Sequence, residues 1–244
     1  MKFGSITTGI IADGLVFNMD AANRASTIPS TSTDKTFNTV DTSISGSFVN
    51  DIIFDASTIT PSYAFDGVAD YINCGPLTSF LNNVSQFSIS LWVKVDDTGE
   101  SRWAGKHQNT SNWISCQLNA NRFIYFSNHH GSSGAGYCGF EAVNSGKITS
   151  GNWYNYVGVF DGTLSVNADR LKIYWNSEKQ AVTTTGTITS TTSNFTSNPD
   201  FRIGGDGYAD NADGNIGCAQ IYNRALSASE VLHNYNALKL RFGL

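Results

Sequence analysis

Alternating apolar and polar residues predict three strong β-strands in the middle of the chain. The first covers residues 87–95, and its apolar face is Phe87, Ile89, Leu91, Val93 and Val95. The opposite face carries Ser88, Ser90, Trp92 and Lys94. This period of two is typical of a strand buried on one side only. Residues 153–160 predict a second strand and residues 171–175 a third, and both lead into turn residues.

Weaker patterns predict six further short strands. They cover residues 63–65, 71–73, 112–118, 122–127, 201–203 and 216–222. Many short strands separated by turn residues are typical of an antiparallel β-sandwich. The alternation of strands and helices that marks a parallel α/β fold does not occur. The fold class is therefore predicted to be all-β, with two packed sheets.

One helix is predicted near the end of the chain. Ser227 and Glu230 have the spacing of a capping box, and Leu226 and Val231 have that of the flanking hydrophobic staple. The apolar stripe that must dock on the rest of the protein is Val231, Leu232, Tyr235 and Leu238.

The chain is interpreted as a single domain over residues 1–244, because no Pro/Gly-rich linker divides it. Residues 1–23 are expected to form an N-terminal strand or arm, 24–62 polar loops, 63–226 the sandwich core, and 227–238 the C-terminal helix and tail. Residues 183–199, nearly all Ser, Thr and Asn, are expected to be a solvated connection, with a sugar-contacting loop as the alternative.

Composition supports the β assignment. Ser, Thr and Asn number 28, 23 and 24 of the 244 residues, whereas Glu occurs four times, and helices draw on Glu far more than on these three. The net charge of −5 with scattered Lys and Arg argues against nucleic acid as a partner. No apolar stretch reaches the roughly 18 residues of a membrane span, and no export signal is recognised, so synthesis in the cytoplasm is expected.

The four cysteines are expected to be unpaired and mostly buried. Cys74, Cys116, Cys138 and Cys218 are widely spaced, which excludes a CxxC zinc site.

The sequence predicts no enzyme. Glycoside hydrolysis needs two carboxyl groups facing the scissile bond, and no glutamate lies in the Glu-x-Asp-x-x-Glu pattern of sandwich glucanases. No Gly-x-Ser-x-Gly elbow is present, and His129 and His130 are expected in an exposed loop.

Two places are candidates for ligand binding. Trp103 and Trp113 flank a polar stretch and could stack on sugar rings, although packing in the core is an open alternative. The glycine-rich loop 204–215 carries Asp206, Asp210 and Asp213, whose oxygens suit calcium, although an ordinary turn would use the same residues. No other cofactor is predicted.

Five segments together resemble the strands of laminin-G-like (concanavalin A-like) jelly rolls. They are residues 63–72, 87–94, 152–162, 171–176 and 216–230. The two ends, 13–23 and 234–243, are similar to those of laminin-G-like structural proteins of tailed bacteriophages. The sequence departs from the family at Ala69, where an Asp is usual beside Asp70, and at 217–219, which lacks the usual Asp-Glu. The first departure weakens the prediction of calcium.

The resemblance implies a non-enzymatic protein of the phage virion, at the capsid surface or on the tail. The leading hypothesis is capsid decoration or reinforcement, with capsid or other virion proteins, and a second copy of the chain, as partners. The alternative is an adhesin that binds carbohydrates on the host surface. Residues 1–23 and those after 236 are expected to contribute a subunit contact, because both ends are apolar.

Overall fold

The computed structural model describes residues 9–27, 35–56, 60–96, 98–121, 123–131, 136–208 and 211–244. The described strands, in chain order, are β1 Leu15–Asp20, β2 Lys35–Phe37, β3 Ser45–Val49, β4 Ile53–Asp55, β5 Ser62–Asp66, β6 Tyr71–Asn73, β7 Gln86–Val95, β8 Ser101–Asn109, β9 Asn112–Leu118, β10 Phe123–His130, β11 Tyr137–Glu141, β12 Trp153–Asp161, β13 Leu171–Trp175, β14 Glu178–Lys179, β15 Thr183–Thr185, β16 Arg202–Ile203 and β17 Asp213–Tyr222. Helices are α1 Thr78–Leu81 and α2 Ala228–Leu238, with 3₁₀ turns at Asn167–Asp169 and Lys239–Phe242.

The strands form two stacked sheets, which confirms the predicted antiparallel β-sandwich. Sheet A has the order β14-β13-β12-β7-β17-β5-β4, with β1 also paired to β17. Sheet B has the order β15-β11-β10-β9-β8-β16-β6-β3-β2. Apart from one isolated parallel bridge, Arg102 to Asn211, the described pairings are antiparallel.

Strand β7 is buried on both faces rather than on one. Its predicted apolar face enters the core between the sheets, where all five residues are almost fully buried. Ser88, Ser90 and Trp92, on the opposite face, are buried as well. The reason is that helix α2 and the 3₁₀ turn after it cover the outer side of sheet A, so that within β7 Gln86 and Lys94, near its two ends, are the residues that are partly exposed.

The polar segments contribute more structure than expected. Residues 24–62 were predicted to be loops, yet β2, β3 and β4 lie within them. Thr36 is fully buried, with its hydroxyl 2.7 Å from that of Tyr63 and 3.0 Å from the carbonyl oxygen of Ser26. Residues 183–199 form β15 and then cover the core with Ile188, Thr192 and Phe195. Hydroxyl side chains lie in the interior here because each finds a hydrogen-bond partner.

The C-terminal helix begins at its predicted cap. The Glu230 N–H donates to the Ser227 hydroxyl at 3.3 Å, and the Ser227 N–H donates back to the Glu230 carboxylate at 2.9 Å. Leu226 and Val231 are buried on the outer face of sheet A, in contact with Tyr222 and its neighbours. Leu232, assigned to the docking stripe, instead faces solvent.

Most apolar residues of the two ends are covered by the domain itself. Phe17 and Met19 lie in the core and Phe242 packs on Trp92, so the premise of two bare apolar strips is wrong for the described residues. Leu240 and Leu244 remain exposed at 83% and 41%. Residues 1–8, which include Ile6, lie outside the described ranges. The four cysteines are free and buried, as predicted.

Candidate functional site

The outer face of sheet B carries a concave site formed by three rows of facing residues. The first row is Arg102, Gln117, Tyr125 and Gly139; the second is Gly105, Ser115, Ser127 and Tyr137; the third is His107, Trp113 and His129. Each row takes one residue from each adjacent strand, and all of these side chains point away from the core, because side chains alternate between the faces of a strand. Of the middle row, Ser127 and Tyr137 line a depression between the two rows of larger side chains, whereas the Asp206 side chain covers Gly105.

The depression is a cavity of about 240 Å³. Its described lining is Arg102, His107, Thr110, Trp113, Gln117, Tyr125, Ser127, Tyr137 and Tyr208. Apolar surface dominates this lining, and the polar groups are hydroxyls, one amide, one imidazole and one guanidinium. None of these lining residues carries a carboxyl group. Aromatic walls with a few convergent polar groups are typical of a small-molecule site.

Four rings form an aromatic row along one wall. Trp113 stacks on His129 at a centroid distance of 3.7 Å and on His107 at 5.6 Å, and His107 lies 4.9 Å from Tyr208. His107 and His129 come from the strands on either side of β9, so the two imidazoles cover opposite faces of the indole. Trp113 therefore presents its edge to the cavity. Burial lowers the pKa of both histidines, which keeps the imidazoles neutral at pH 7.

Arg102 is held by two acids and an amide. Its Nη1 donates to Asp206 at 2.9 Å and to the Gln117 side-chain oxygen at 2.7 Å, and its Nη2 donates to Glu100 at 3.1 Å. The Asp206 carboxylate is fully buried and also accepts the Tyr208 N–H at 3.0 Å. The Arg102 guanidinium lies 5.3 Å from the centre of the Tyr208 ring. This network fixes the positions of both Gln117 and Tyr208 at the cavity.

Tyr125 lies flat on a glycine. A Cβ at Gly139 would fall 2.1 Å from the Tyr125 ring, so only glycine permits this ring position. Tyr137 contacts Tyr125 edge-on, with the ring centres 5.0 Å apart. Tyr208 closes the opposite side and is 62% exposed. The tyrosines thus offer ring surface that Trp113 does not.

The structure separates the two tryptophans proposed as sugar contacts. Trp113 lines the cavity, whereas Trp103 is 2% exposed and packs in the core against Tyr156 and Trp175. The assignment of Trp103 to a surface site is wrong. A register shift between Arg102 and Ala104 inserts one extra residue into β8, so that Trp103 and Ala104 both face the core between the outward residues Arg102 and Gly105.

The acids proposed for calcium do not converge in the described part of the chain. Asp206 lies against Gly105 of sheet B and pairs with Arg102, while Asp213 lies beside Gly67 and faces Asp66 of sheet A. Asp210 lies outside the described residues. Among the described residues, no group of three or more His, Cys, Asp or Glu could hold a metal ion. Calcium binding at this loop stays an untested prediction.

His129 and His130 end strand β10 rather than lying in an exposed loop. The His129 side chain is buried beside Trp113, and the His130 Nδ1 lies 3.2 Å from the carbonyl oxygen of Thr191. Sequence reasoning missed Gln117, Tyr125, Tyr137 and Tyr208 altogether. Residues 112–118 and 122–127 were predicted as strands, so the alternation of side chains within each strand could be read from the sequence. Which residues of neighbouring strands lie side by side could not.

The family assignment follows from the sandwich and from a match of the sequence. The model of the family Laminin_G_3, described as the concanavalin A-like lectin/glucanases superfamily, matches residues 66–232. Because this match covers more than half of the chain, the protein belongs to that family. No match to a curated protein sequence was found.

The solved structures that share this fold include the following three. Domain 4 of AbnA, a GH43 extracellular arabinanase from Geobacillus stearothermophilus in complex with arabinotriose, has 18% identity and a TM-score of 0.62, with 91% of this chain and 98% of that one covered. Trypanosoma rangeli sialidase in complex with sialic acid has 14% identity and a TM-score of 0.61, covering 93% and 33%. Botulinum neurotoxin type C, described as dependent on two ganglioside molecules for cell entry, has 14% identity and a TM-score of 0.66, covering 92% and 51%. The similar region is thus one third of the sialidase chain and half of the toxin chain.

In the part of the chain that the structure describes, no helix has the length and apolarity required to cross a membrane.

Proposed function

We propose that this protein is a non-enzymatic carbohydrate-binding protein that holds a sugar in the cavity on sheet B. The observation that carries the proposal is the lining: three tyrosines and the edge of Trp113 surround one amide, two hydroxyls and one guanidinium. Sugar rings have apolar C–H faces and a rim of hydroxyls, and tyrosine matches both with its ring and its phenolic oxygen. The cavity, at about 240 Å³, suits one or two sugar rings better than a long chain.

The binding groups divide into two sets. Tyr125, Tyr137 and Tyr208 supply ring surface on two sides of the cavity. Gln117, fixed by Arg102, and Ser127 supply hydrogen-bonding groups at the floor. The Gln117 side-chain oxygen already accepts from Arg102 and from the Ser115 hydroxyl, so its amide nitrogen is the group that donates to a sugar hydroxyl, and the fixed side chain loses little entropy on binding.

Two further observations support binding without catalysis. The described cavity lining lacks the paired carboxyl groups that glycoside hydrolysis uses. The structurally similar proteins are described with arabinotriose, sialic acid and gangliosides, which are carbohydrates or carry them. Fold similarity alone does not transfer a ligand, so the lining residues carry the argument.

The experiment is a glycan array followed by isothermal titration calorimetry on the retained glycans. Tyr208→Ala is expected to weaken binding about fivefold, since stacking on an aromatic ring contributes about 1 kcal/mol. Tyr235→Ala, an aromatic truncation on the opposite side of the sandwich, serves as the matched control and is expected to leave affinity unchanged. Retention of no glycan, or equal loss in both variants, contradicts the proposal. Hydrolysis of a retained glycan above background contradicts its non-enzymatic part.

A second candidate, compatible with the first, is a structural role in a phage virion, most simply as a capsid decoration protein. The resemblance of the two ends to phage structural proteins supports it, and so do Leu240 and Leu244, which stay exposed beside the C-terminal turn. The purified chain is expected to bind phage capsids that lack it, and Leu240→Asp is expected to weaken that binding. Absence of binding to such capsids contradicts this role and leaves the sugar site unaffected.

A further inference from the structure

The charges around the cavity bear on which sugars it accepts. Arg102 is the single cationic side chain in the described lining. Two carboxylates, those of Asp206 and Glu100, lie within 3.1 Å of its guanidinium nitrogens. The formal charge of this cluster is therefore −1 at pH 7. The imidazoles of His107 and His129 add no charge there, because burial favours their neutral form.

Other described cations do not reach the cavity. Lys106 follows Gly105 in β8, but its side chain points to the opposite face and donates to Asn82 at 3.0 Å. Arg202 lies on the outer face of sheet B with its guanidinium 4.0 Å from the centre of the Tyr71 ring, and it does not line the cavity. A ligand carboxylate would thus meet one guanidinium already engaged by two acids.

We infer that the cavity selects neutral sugars over sugars that carry a carboxylate. The inference rests on the proposed function and names its ligand class. An acidic sugar must approach an Arg102 guanidinium that Glu100 and Asp206 already neutralise, and no other described cation lines the cavity, whereas a neutral ring needs no counter-charge. Selectivity here comes from the fixed acids that repel the wrong ligand as much as from contacts to the right one.

Matched ligand pairs test this inference by calorimetry with the full chain. Lactose and 3′-sialyllactose form one pair; a galacturonic acid trimer and its methyl ester form another; an array of neutral and acidic glycans extends the comparison. We expect the retained glycans to be neutral and the neutral member of a bound pair to bind at least about tenfold more tightly.

A charge variant identifies the cause of the selectivity. Glu100→Gln removes one of the two acids from a partly exposed position and keeps the shape of the side chain. Its affinity for the acidic member, taken relative to its affinity for the neutral member, is expected to rise roughly fivefold over that of the parent protein. Glu178→Gln makes the same charge change at the exposed edge strand β14 of sheet A and is expected to alter neither.

The outcomes separate the two proposals. If acidic glycans are retained preferentially and Tyr208→Ala releases them, the neutral-sugar inference is overturned and the sugar site stands. If no glycan of either class is retained, both fail. Equal effects of Glu100→Gln and Glu178→Gln would overturn the assignment of selectivity to the Arg102 cluster.

Discussion

Trp92 and Phe242 stack in parallel, with their ring centres 4.1 Å apart and an interplanar angle of 6°. Trp92 comes from the middle of sheet A, and Phe242 from the 3₁₀ turn after helix α2. Phe242 lies directly over Gly217, where a Cβ would approach its ring to 2.5 Å. The contact between these two rings attaches the C-terminal segment to the outer side of sheet A.

Replacing Phe242 with alanine is expected to destabilise the fold by about 3 kcal/mol, because the substitution removes a buried ring and leaves a cavity. The emission of Trp92 should shift to longer wavelength as water reaches the indole. Urea denaturation followed by fluorescence measures both effects. Leu240→Ala, two residues away and exposed, is the control and should change stability by less than about 0.5 kcal/mol. A Phe242→Ala variant as stable as the parent would show that the stack contributes nothing.

Acid should weaken the cap of helix α2. Hydrogen bonding from Arg224 lowers the pKa of Glu230 from 4.5 to about 2. Because the pKa of Glu230 is lower in the folded chain than in the unfolded chain, its carboxylate stabilises the fold above the unfolded pKa of about 4.5. This stabilisation is lost as the pH falls from about 4.5 toward 2. Glu230→Gln is therefore expected to cost about 1 kcal/mol at neutral pH and progressively less below pH about 4. The test is to measure the urea midpoints of the parent and of Glu230→Gln from neutral pH down to about pH 2, with Glu178→Gln as control. A difference between the parent and Glu230→Gln that does not change with pH would contradict the prediction.

Lys106 should give the opposite pH dependence. Its side chain is buried, and burial lowers its pKa from 10.5 to about 8. Between these two values the unfolded chain binds more protons than the folded one, so stability rises with pH. Relative to Lys106→Met, the parent protein is expected to gain about 1 kcal/mol between about pH 7.5 and about pH 9.5, a value reduced by water screening. If the free energy of unfolding changed with pH in the same way for the parent and for Lys106→Met, the lowered pKa of Lys106 would be contradicted.

Gly139→Ala should reshape the cavity although Gly139 itself is not among the residues that line it. The new Cβ would overlap the Tyr125 ring and lie 3.0 Å from the Ile124 carbonyl oxygen. The ring must move, at an expected cost of about 1 to 3 kcal/mol in stability and about tenfold in sugar affinity. Gly9→Ala is the control, since a Cβ there meets no atom within 4 Å. Unchanged affinity in a folded Gly139→Ala variant would show that Tyr125 does not contact the ligand.

The sequence predicts the sandwich and its terminal helix because those features are local. The alternation of β7 and the capping box at Ser227 require only neighbouring residues. Strand β8 was not predicted, because Arg102 and His107 on its outer face line the cavity, Lys106 points inward and a bulge interrupts its period at Trp103. The cavity depends on the register of four strands, and register is decided by contacts between segments distant in sequence.

Helix α2 and the turn containing Phe242 cover the outer side of sheet A, whereas the cavity opens on the outer side of sheet B. The two functions proposed for the molecule thus have separate faces available. If many copies of the protein were attached to one surface through Leu244, every cavity would face outward. Many weak contacts to a sugar-coated surface would then add up to firm adhesion.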